Sequence, residues 1–258
     1  MVDAFFRREA DQLVPADIAR GPWDRESLHG RVLAGLIAHA VEREHGDDAF
    51  QVARLTIDMF RLPPFAPLAV ATRSARQGGR IRVIDGAITA GRVEVARGSV
   101  VMLRRTDEPE GHVWSPAPWQ VPAPDQVPLP RVEGAGRFEP MWETRNIDGT
   151  AGAVEQKRAW IRELRPLIDG EPLTPLTRVA LACDFTNPFA NSGDHGLNHV
   201  NADVTLYLHR LPVDEWVGFE VTSHHSTDGV AVGECALYDT AGAIGRSLVC
   251  AVAQRRRS

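Results

Sequence analysis

The chain has 258 residues, room for one large domain or two of roughly 100 to 130 residues, and its hydrophobic content of 43% is ample for a core. A net charge of −5 gives no case for nucleic acid, whose binders carry a basic stripe, and the one basic cluster, Arg255-Arg256-Arg257, reads as a solvated tail. Three widely spaced cysteines, Cys183, Cys235 and Cys250, argue against a disulfide framework and a thiolate zinc site, and the N-terminal segment lacks the apolar core of a signal peptide.

In chain order, Phe5-Phe6 opens a short segment and Gly21-Pro22-Trp23 marks a loop. Leu28, Val32, Leu36 and Ile37 then recur at helical spacing, with Ala34, Ala38 and Ala40 among them. That pattern predicts a closely packed helix over residues 28–42, capped by Ser27 with Asp24 just upstream. After Gly46 the period becomes twofold, and strands are predicted over residues 53–60, 68–74, 80–87 and 93–103. Their separators, Pro63-Pro64, Gln77-Gly78-Gly79 and Ala90-Gly91, are too short for parallel crossovers, so the strands form an antiparallel meander.

Between residues 109 and 130 fall seven of the 18 prolines. Proline removes backbone donors, which predicts an extended linker rather than a core element. Trp114 and Trp119 predict that this linker packs on the protein surface. Strands follow over residues 138–146 and 154–164, then a helix over 174–185 with Thr174 as its cap and Pro175 at its first position. A polar loop over 187–199 leads into strands over 200–210, 216–224, 230–238 and 244–253.

The two halves repeat one pattern. Arg61-Leu62-Pro63 recurs as Arg210-Leu211-Pro212, and the alternating run over 53–59 returns in phase over 202–208. Arg31-Val32-Leu33 lies opposite Arg178-Val179-Ala180, Gly35 opposite Ala182, Pro67-Leu68 opposite Trp216-Val217, and Arg97 opposite Arg246. A sheet apolar on one face must cover it, and one central helix does so. The predicted fold is α+β: two antiparallel sheets, each wrapping one long central helix, in halves 1–108 and 137–258 joined by a linker over 109–136.

Such a tandem unit resembles the double-hotdog acyl-CoA thioesterases of the thioesterase II type, over nearly the whole chain. VNADVTLYLHRLPVDEWVGFEVTS, residues 200–223, resembles that family's strand with a D-H-S-x-x-F-H-x-P pattern followed by E-W. GVAVGECALYDTAGAIGRS, residues 229–247, is similar to its final hairpin, and ALACDFTNPF, residues 180–189, to the helix end that keeps an Asp. The resemblance implies hydrolysis of acyl-CoA, or another acyl thioester, to acid and thiol. It implies no cofactor, and assembly into a homo-oligomer through paired sheet edges. The family's Asp–Thr–Gln arrangement activates a water; Asp184 matches the Asp and Asn201 stands at the Thr. Cys250, or Val249 if the last turn is one residue shorter, stands at the Gln.

The residues themselves point to one composite site dominated by the second half. Thioester hydrolysis needs an acceptor for water and donors for the oxyanion. Asp184 ends an apolar helix, where a carboxylate is costly to bury, and its counterpart in the first half is Ile37. Asn201 begins a strand in phase with Asp203 and Thr205, and its counterpart is Val52. Leu28-His29-Gly30 places first-turn amides near substrate; Gly30 allows close approach and His29 is a contact candidate. Cys250 is a substrate-contact candidate, expected to be buried and inert as a nucleophile. His195 and His199 lack a third ligand, so no metal is expected, and His224-His225 point to opposite strand faces.

Two other readings remain. CDFTNPF resembles a hotdog hydratase motif, D-x-N-P-x-H, although Asp184 and Asn187 are one residue too far apart and Ala190 stands where the His belongs. The third reading is a non-catalytic acyl-CoA or lipid-binding module. No apolar run approaches the roughly 20 residues of a spanning helix, so a soluble cytoplasmic protein with no membrane partner is expected.

Overall fold

The computed structural model describes residues 3–129 and 140–254; Phe138, the linker beyond residue 129 and Arg255-Arg256-Arg257 lie outside the described residues. The first half builds β1 (Phe6–Glu9), β2 (Gln12–Pro15), α1 (Arg31–His45), β3 (Phe50–Met59), β4 (Leu68–Gln77), β5 (Ile81–Ala90) and β6 (Val93–Arg104). Helix α1 begins later than its periodicity suggests. Gly30 is its N-cap without a side-chain bond, because Ser27 donates its hydroxyl to the Asp24 carbonyl instead of capping the helix.

The second half builds β7 (Trp142–Asp148), β8 (Arg158–Glu163), α2 (Pro175–Cys183), α3 (Thr186–Asn191), β9 (Ser192–Gly193), β10 (Gly196–Leu197) and β11 (His199–Asn201). It closes with β12 (Asp203–Leu208), β13 (Trp216–Thr227), β14 (Val230–Asp239) and β15 (Gly242–Ala253). Thr174 caps α2 as expected, its Oγ1 accepting the Thr177 N–H at 3.1 Å with Pro175 in the first turn. The helix is shorter than expected. Pro188 has no N–H to offer the Asp184 carbonyl four residues back, so continuing the helix would orphan that oxygen. The chain turns at Asp184 and Phe185, the Asn187 N–H takes the Asp184 carbonyl at 3.2 Å, and α3 follows. The segment expected as a polar loop is therefore a short helix and the β9–β10 hairpin.

The expectation of two sheets, each around one long helix, is corrected on both counts. One continuous 13-stranded sheet runs β1-β2-β4-β5-β6-β3-β12-β15-β14-β13-β8-β7, with β11 also paired to β15. The helices differ in length, 15 residues in α1 and 9 in α2. Strands β3 and β12 would each be a bare edge in an isolated half, and pairing them removes both edges. At that junction Thr56 sits opposite Thr205, with hydroxyl oxygens 3.1 Å apart. These two residues are equivalents in the sequence repeat, so a pseudo-twofold axis passes between them.

The repeat also copies an irregularity. The β3–β6 register shifts between Val52 and Arg54, and the strand entering β12 breaks at Ala202, the equivalent of Ala53. An extra residue reverses the in–out alternation. Val52 and Leu55 consequently both face the core, and Asn201 turns inward although Asp203 and Thr205 do not share its face. The expected common phase of Asn201 with Asp203 and Thr205 is thus overturned by the break.

Between the helices and the sheet lies one core. The helices touch closely at Gly35, where a Cβ would come within 2.7 Å of Leu181 Cδ2. Leu33, Leu36 and Ile37 of α1 and Leu55 and Ile57 of β3 are fully buried, each side chain contributing about 1.5–3 kcal/mol. Over the outer surface, Trp119 of the linker stacks on Tyr238 (centroids 4.2 Å apart) and meets Trp160 edge-on at 5.0 Å. The missing side chain of Gly218 makes room for the Trp119 ring. Trp114 has no such bed and is 86% exposed, contrary to the expected packing.

Candidate active site

The break between α2 and α3 leaves Asp184 at the C-cap of α2, buried to 7% exposure, facing the start of α1 from the other half. The break at Ala202 brings the Asn201 amide to it. Asn201 Nδ2 donates to Asp184 Oδ1 at 3.0 Å and to the Asp203 carbonyl at 3.2 Å. The second carboxylate oxygen, Oδ2, lies 3.6 Å from His29 Nδ1, and a Cβ on Gly30 would lie 3.4 Å from it. Asp184, Asn201, His29 and Gly30 are therefore brought together, two from each half.

Burial raises the Asp184 carboxyl above its ordinary range, opposed by the Asn201 amide and by Arg31. His29 is driven the other way, down to about 3, by burial and then by the Arg31 charge. Its ring is neutral at any physiological pH. Nδ1 accepts from the Arg31 backbone N–H at 3.4 Å, which assigns the ring proton to Nε2.

Sequence reasoning missed Arg31, Glu163 and Trp142. Arg31 is buried at the start of α1, forms an ion pair with the buried Glu163 of β8, and donates through Nε to the Leu181 carbonyl at 3.4 Å. Its guanidinium sits 4.3 Å from the Trp142 ring, and Trp142 meets His29 edge-on at 5.8 Å. Arg31 interrupts an apolar helical run, but Glu163 lies among Arg158, Arg162 and Arg165, so the pairing carries no local signal. His29, Arg31, Trp142 and Asp184, with Phe185 and Pro188, line a cavity of about 30 Å³, which has room for a water.

Cys250 does not join them. It is exposed, and its strand places Ser247, Val249 and Ala251 inward and Cys250 outward. The expected burial fails because inward positions on β15 are odd-numbered here. The Cys250 backbone N–H donates to Asp203 Oδ1 at 2.6 Å; partial burial and then Asp203 push its thiol up to about 11. The thiol stays protonated at neutral pH, which removes it as a nucleophile. The residue opposite Asn201 on β15 is Ala251.

The remaining histidines sit elsewhere. His224 Nδ1 bonds Asn191 Oδ1 at 2.7 Å, its ring meets His199 at 5.8 Å, and His225 is exposed. Among the described residues no group of three or more His, Cys, Asp or Glu is arranged to hold a metal, and no helix is long and apolar enough to cross a membrane.

Residues 19–103 match the family model of the acyl-CoA thioesterase N-terminal domain, and residues 109–249 that of the acyl-CoA thioesterase C-terminal domain. No curated protein matches. A hot dog fold protein from Alicyclobacillus acidocaldarius superposes with a TM-score of 0.75 at 15% identity, covering 98% of this chain and 96% of that one. An acyl-CoA thioesterase II from Mycobacterium marinum gives 0.65 at 17% identity, covering 98% and 96%. A TesB protein from Mycobacterium avium subspecies paratuberculosis gives 0.71 at 13% identity, covering 97% and 96%. At these identities the solved structures establish a shared hotdog fold, and the family models cover most of the chain.

Proposed function

The chain belongs to the acyl-CoA thioesterase family, and from that premise we propose that it hydrolyses an acyl-CoA, or a related acyl thioester, at one composite site. The observation that carries the reading is the buried Asp184 carboxylate, oriented by the Asn201 amide and facing the start of α1. Asp184 takes a proton from a water that bridges toward His29 Nδ1. The water oxygen forms a bond to the thioester carbon while the carbonyl electrons move onto oxygen. Collapse breaks the C–S bond, the electron pair leaves on sulfur, and Asp184 returns the proton to the thiolate.

Gly30 N–H, at the positive end of α1, and the His29 Nε2–H are the donors suited to the oxyanion. Arg31 opposes the rise in the Asp184 pKa, keeping more of the base ionised near neutral pH. The same reading takes the protein to be a homo-oligomer, which sedimentation velocity measures directly.

Purified protein incubated with acyl-CoAs of graded length in ¹⁸O-water tests the reaction. Thiol should appear with one ¹⁸O in the acid product, and no release above buffer by folded protein would reject it. One observation favours binding without turnover. The positions weighed for the family Gln carry Val249 and Cys250, and Ala251 stands opposite Asn201, so none of the three supplies an amide side chain. Calorimetric binding of acyl-CoA that survives Asp184→Ala, with no thiol released by either protein, selects that alternative.

A further inference from the structure

Lys157, just before β8, is 4% exposed. An ammonium has three donors, and the Nζ of Lys157 makes one hydrogen bond, to the Ser192 carbonyl at 2.7 Å. Among the described residues no carboxylate forms an ion pair with it. A buried ammonium without a counter-charge is costly. Burial accordingly holds the amine below its ordinary range.

Lys157 and Ser192, whose carbonyl takes the amine, both line an open cavity of about 450 Å³, within the size range of small-molecule sites. His224 and His199 line it too. Asn191 donates through Nδ2 to Asn187 Oδ1 at 2.9 Å, which fixes its amide and makes His224 Nδ1 the donor to Asn191 Oδ1. His199 Nδ1 is buried with no hydrogen-bond partner. Partial burial, then the charges of His199 and Lys157, hold His224 below its ordinary range, and its one N–H is given to Asn191, so its ring borders the cavity and reports on it. Glu155, Asp194 and His224 are exposed on the lining, where solvent screens charge, whereas Lys157 is buried.

The cavity is close to the proposed reaction site. Asp184 immediately precedes Phe185 and α3, whose six residues span roughly 9 Å, and Asn191 at its far end lines the cavity. Strand β11 makes the same link, with His199 at the cavity and Asn201 at Asp184, roughly 7 Å apart.

We propose that this cavity is an anion subsite, in which Lys157 with His199 takes a carboxylate or phosphate of a thioester whose carbonyl lies at Asp184. The identity of the ligand as a thioester rests on the hydrolytic reading; the anion site itself does not. The anion supplies the missing counter-charge. A carboxylate at the far end of the acyl chain and a phosphate of the carrier share that chemistry.

The test is a titration of the wild-type protein with glutarate and with inorganic phosphate, followed through the imidazole ¹⁵N resonances of His199 and His224. Saturable shifts with either anion are expected, weakened about tenfold or more in Lys157→Gln and kept in Lys157→Arg. Absence of shifts with both anions overturns the subsite, and that outcome needs no variant to fold. KM is then compared for hexanoyl-pantetheine, adipyl-pantetheine and hexanoyl-CoA. A lower KM for adipyl-pantetheine than for hexanoyl-pantetheine assigns the anion to the acyl end, and a lower KM for the CoA ester assigns it to the carrier. Anion shifts without thiol release leave the subsite standing and reject hydrolysis; thiol release without shifts does the reverse.

Discussion

At the scale of single residues, the proposed site rests on a carboxylate held where solvation would not put it. Because burial raises the folded pKa of Asp184 above its unfolded value, the group binds its proton more tightly in the fold. Its contribution to stability is therefore favourable below the unfolded pKa and is lost as pH rises through the folded one. Asp184→Asn removes that loss: its Tm should exceed that of wild type at pH 7, and the difference should vanish in melts near pH 4. The same shift places the acid limb of the wild-type pH–rate profile above the ordinary aspartate range. Asn201→Ala removes a hydrogen bond to a charged group and should lower kcat/KM by about 10- to 100-fold, read in steady-state kinetics. Asp184 and Asn201 were legible in the sequence because each breaks an apolar pattern that its repeat partner, Ile37 or Val52, preserves. Arg31 was not, since an arginine in the first turn of a helix ordinarily reaches solvent, and nothing local announces a partner 132 residues away. Cys250 was expected to be buried because its strand is apolar, and it proves exposed because it lies on the outward face of β15.

At the scale of elements, the strands and the Thr174 cap follow from periodicity and turn chemistry, and their observed bounds differ by a few residues. The end of α2 was legible ahead of Pro188, but the polar residues after it read as a loop, and α3 was not visible in them. The break at Ala202 has no signal of its own; only its recurrence at Ala53 makes it visible, and only once both registers are known. Yet these two irregularities bring Asp184 and Asn201 together. The contact between helices gives a prediction at this scale. Gly35→Ala drives a Cβ to within 2.7 Å of Leu181 and should cost about 1–3 kcal/mol by denaturant titration, with the site residues untouched. Trp119→Ala should loosen the linker, costing about 3–5 kcal/mol at most, since the ring is only partly buried.

At the scale of the whole molecule, the duplication yields a pseudo-twofold body with unequal ends. Leu176 and Val52, the counterparts of His29 and Asn201, line a cavity of about 390 Å³, while Ile37, the counterpart of Asp184, is fully buried in the core. The sequence showed two copies; it did not show that they share one sheet, because pairing between β3 and β12 uses backbone groups that carry no residue signature. We propose that the halves over 1–108 and 137–258 are coupled in folding rather than independent. Expressed separately they should aggregate through their exposed β3 and β12 edges, and expressed together they should form a soluble complex. The proposed hydrolysis rests on one acid at one site, and kcat/KM for thiol release from a panel of acyl-CoAs, wild type and Asp184→Ala side by side, tests it most directly. Turnover by the wild type, lowered about 10²- to 10⁴-fold in a folded Asp184→Ala protein, is the predicted result. Equal rates for the two proteins would contradict it.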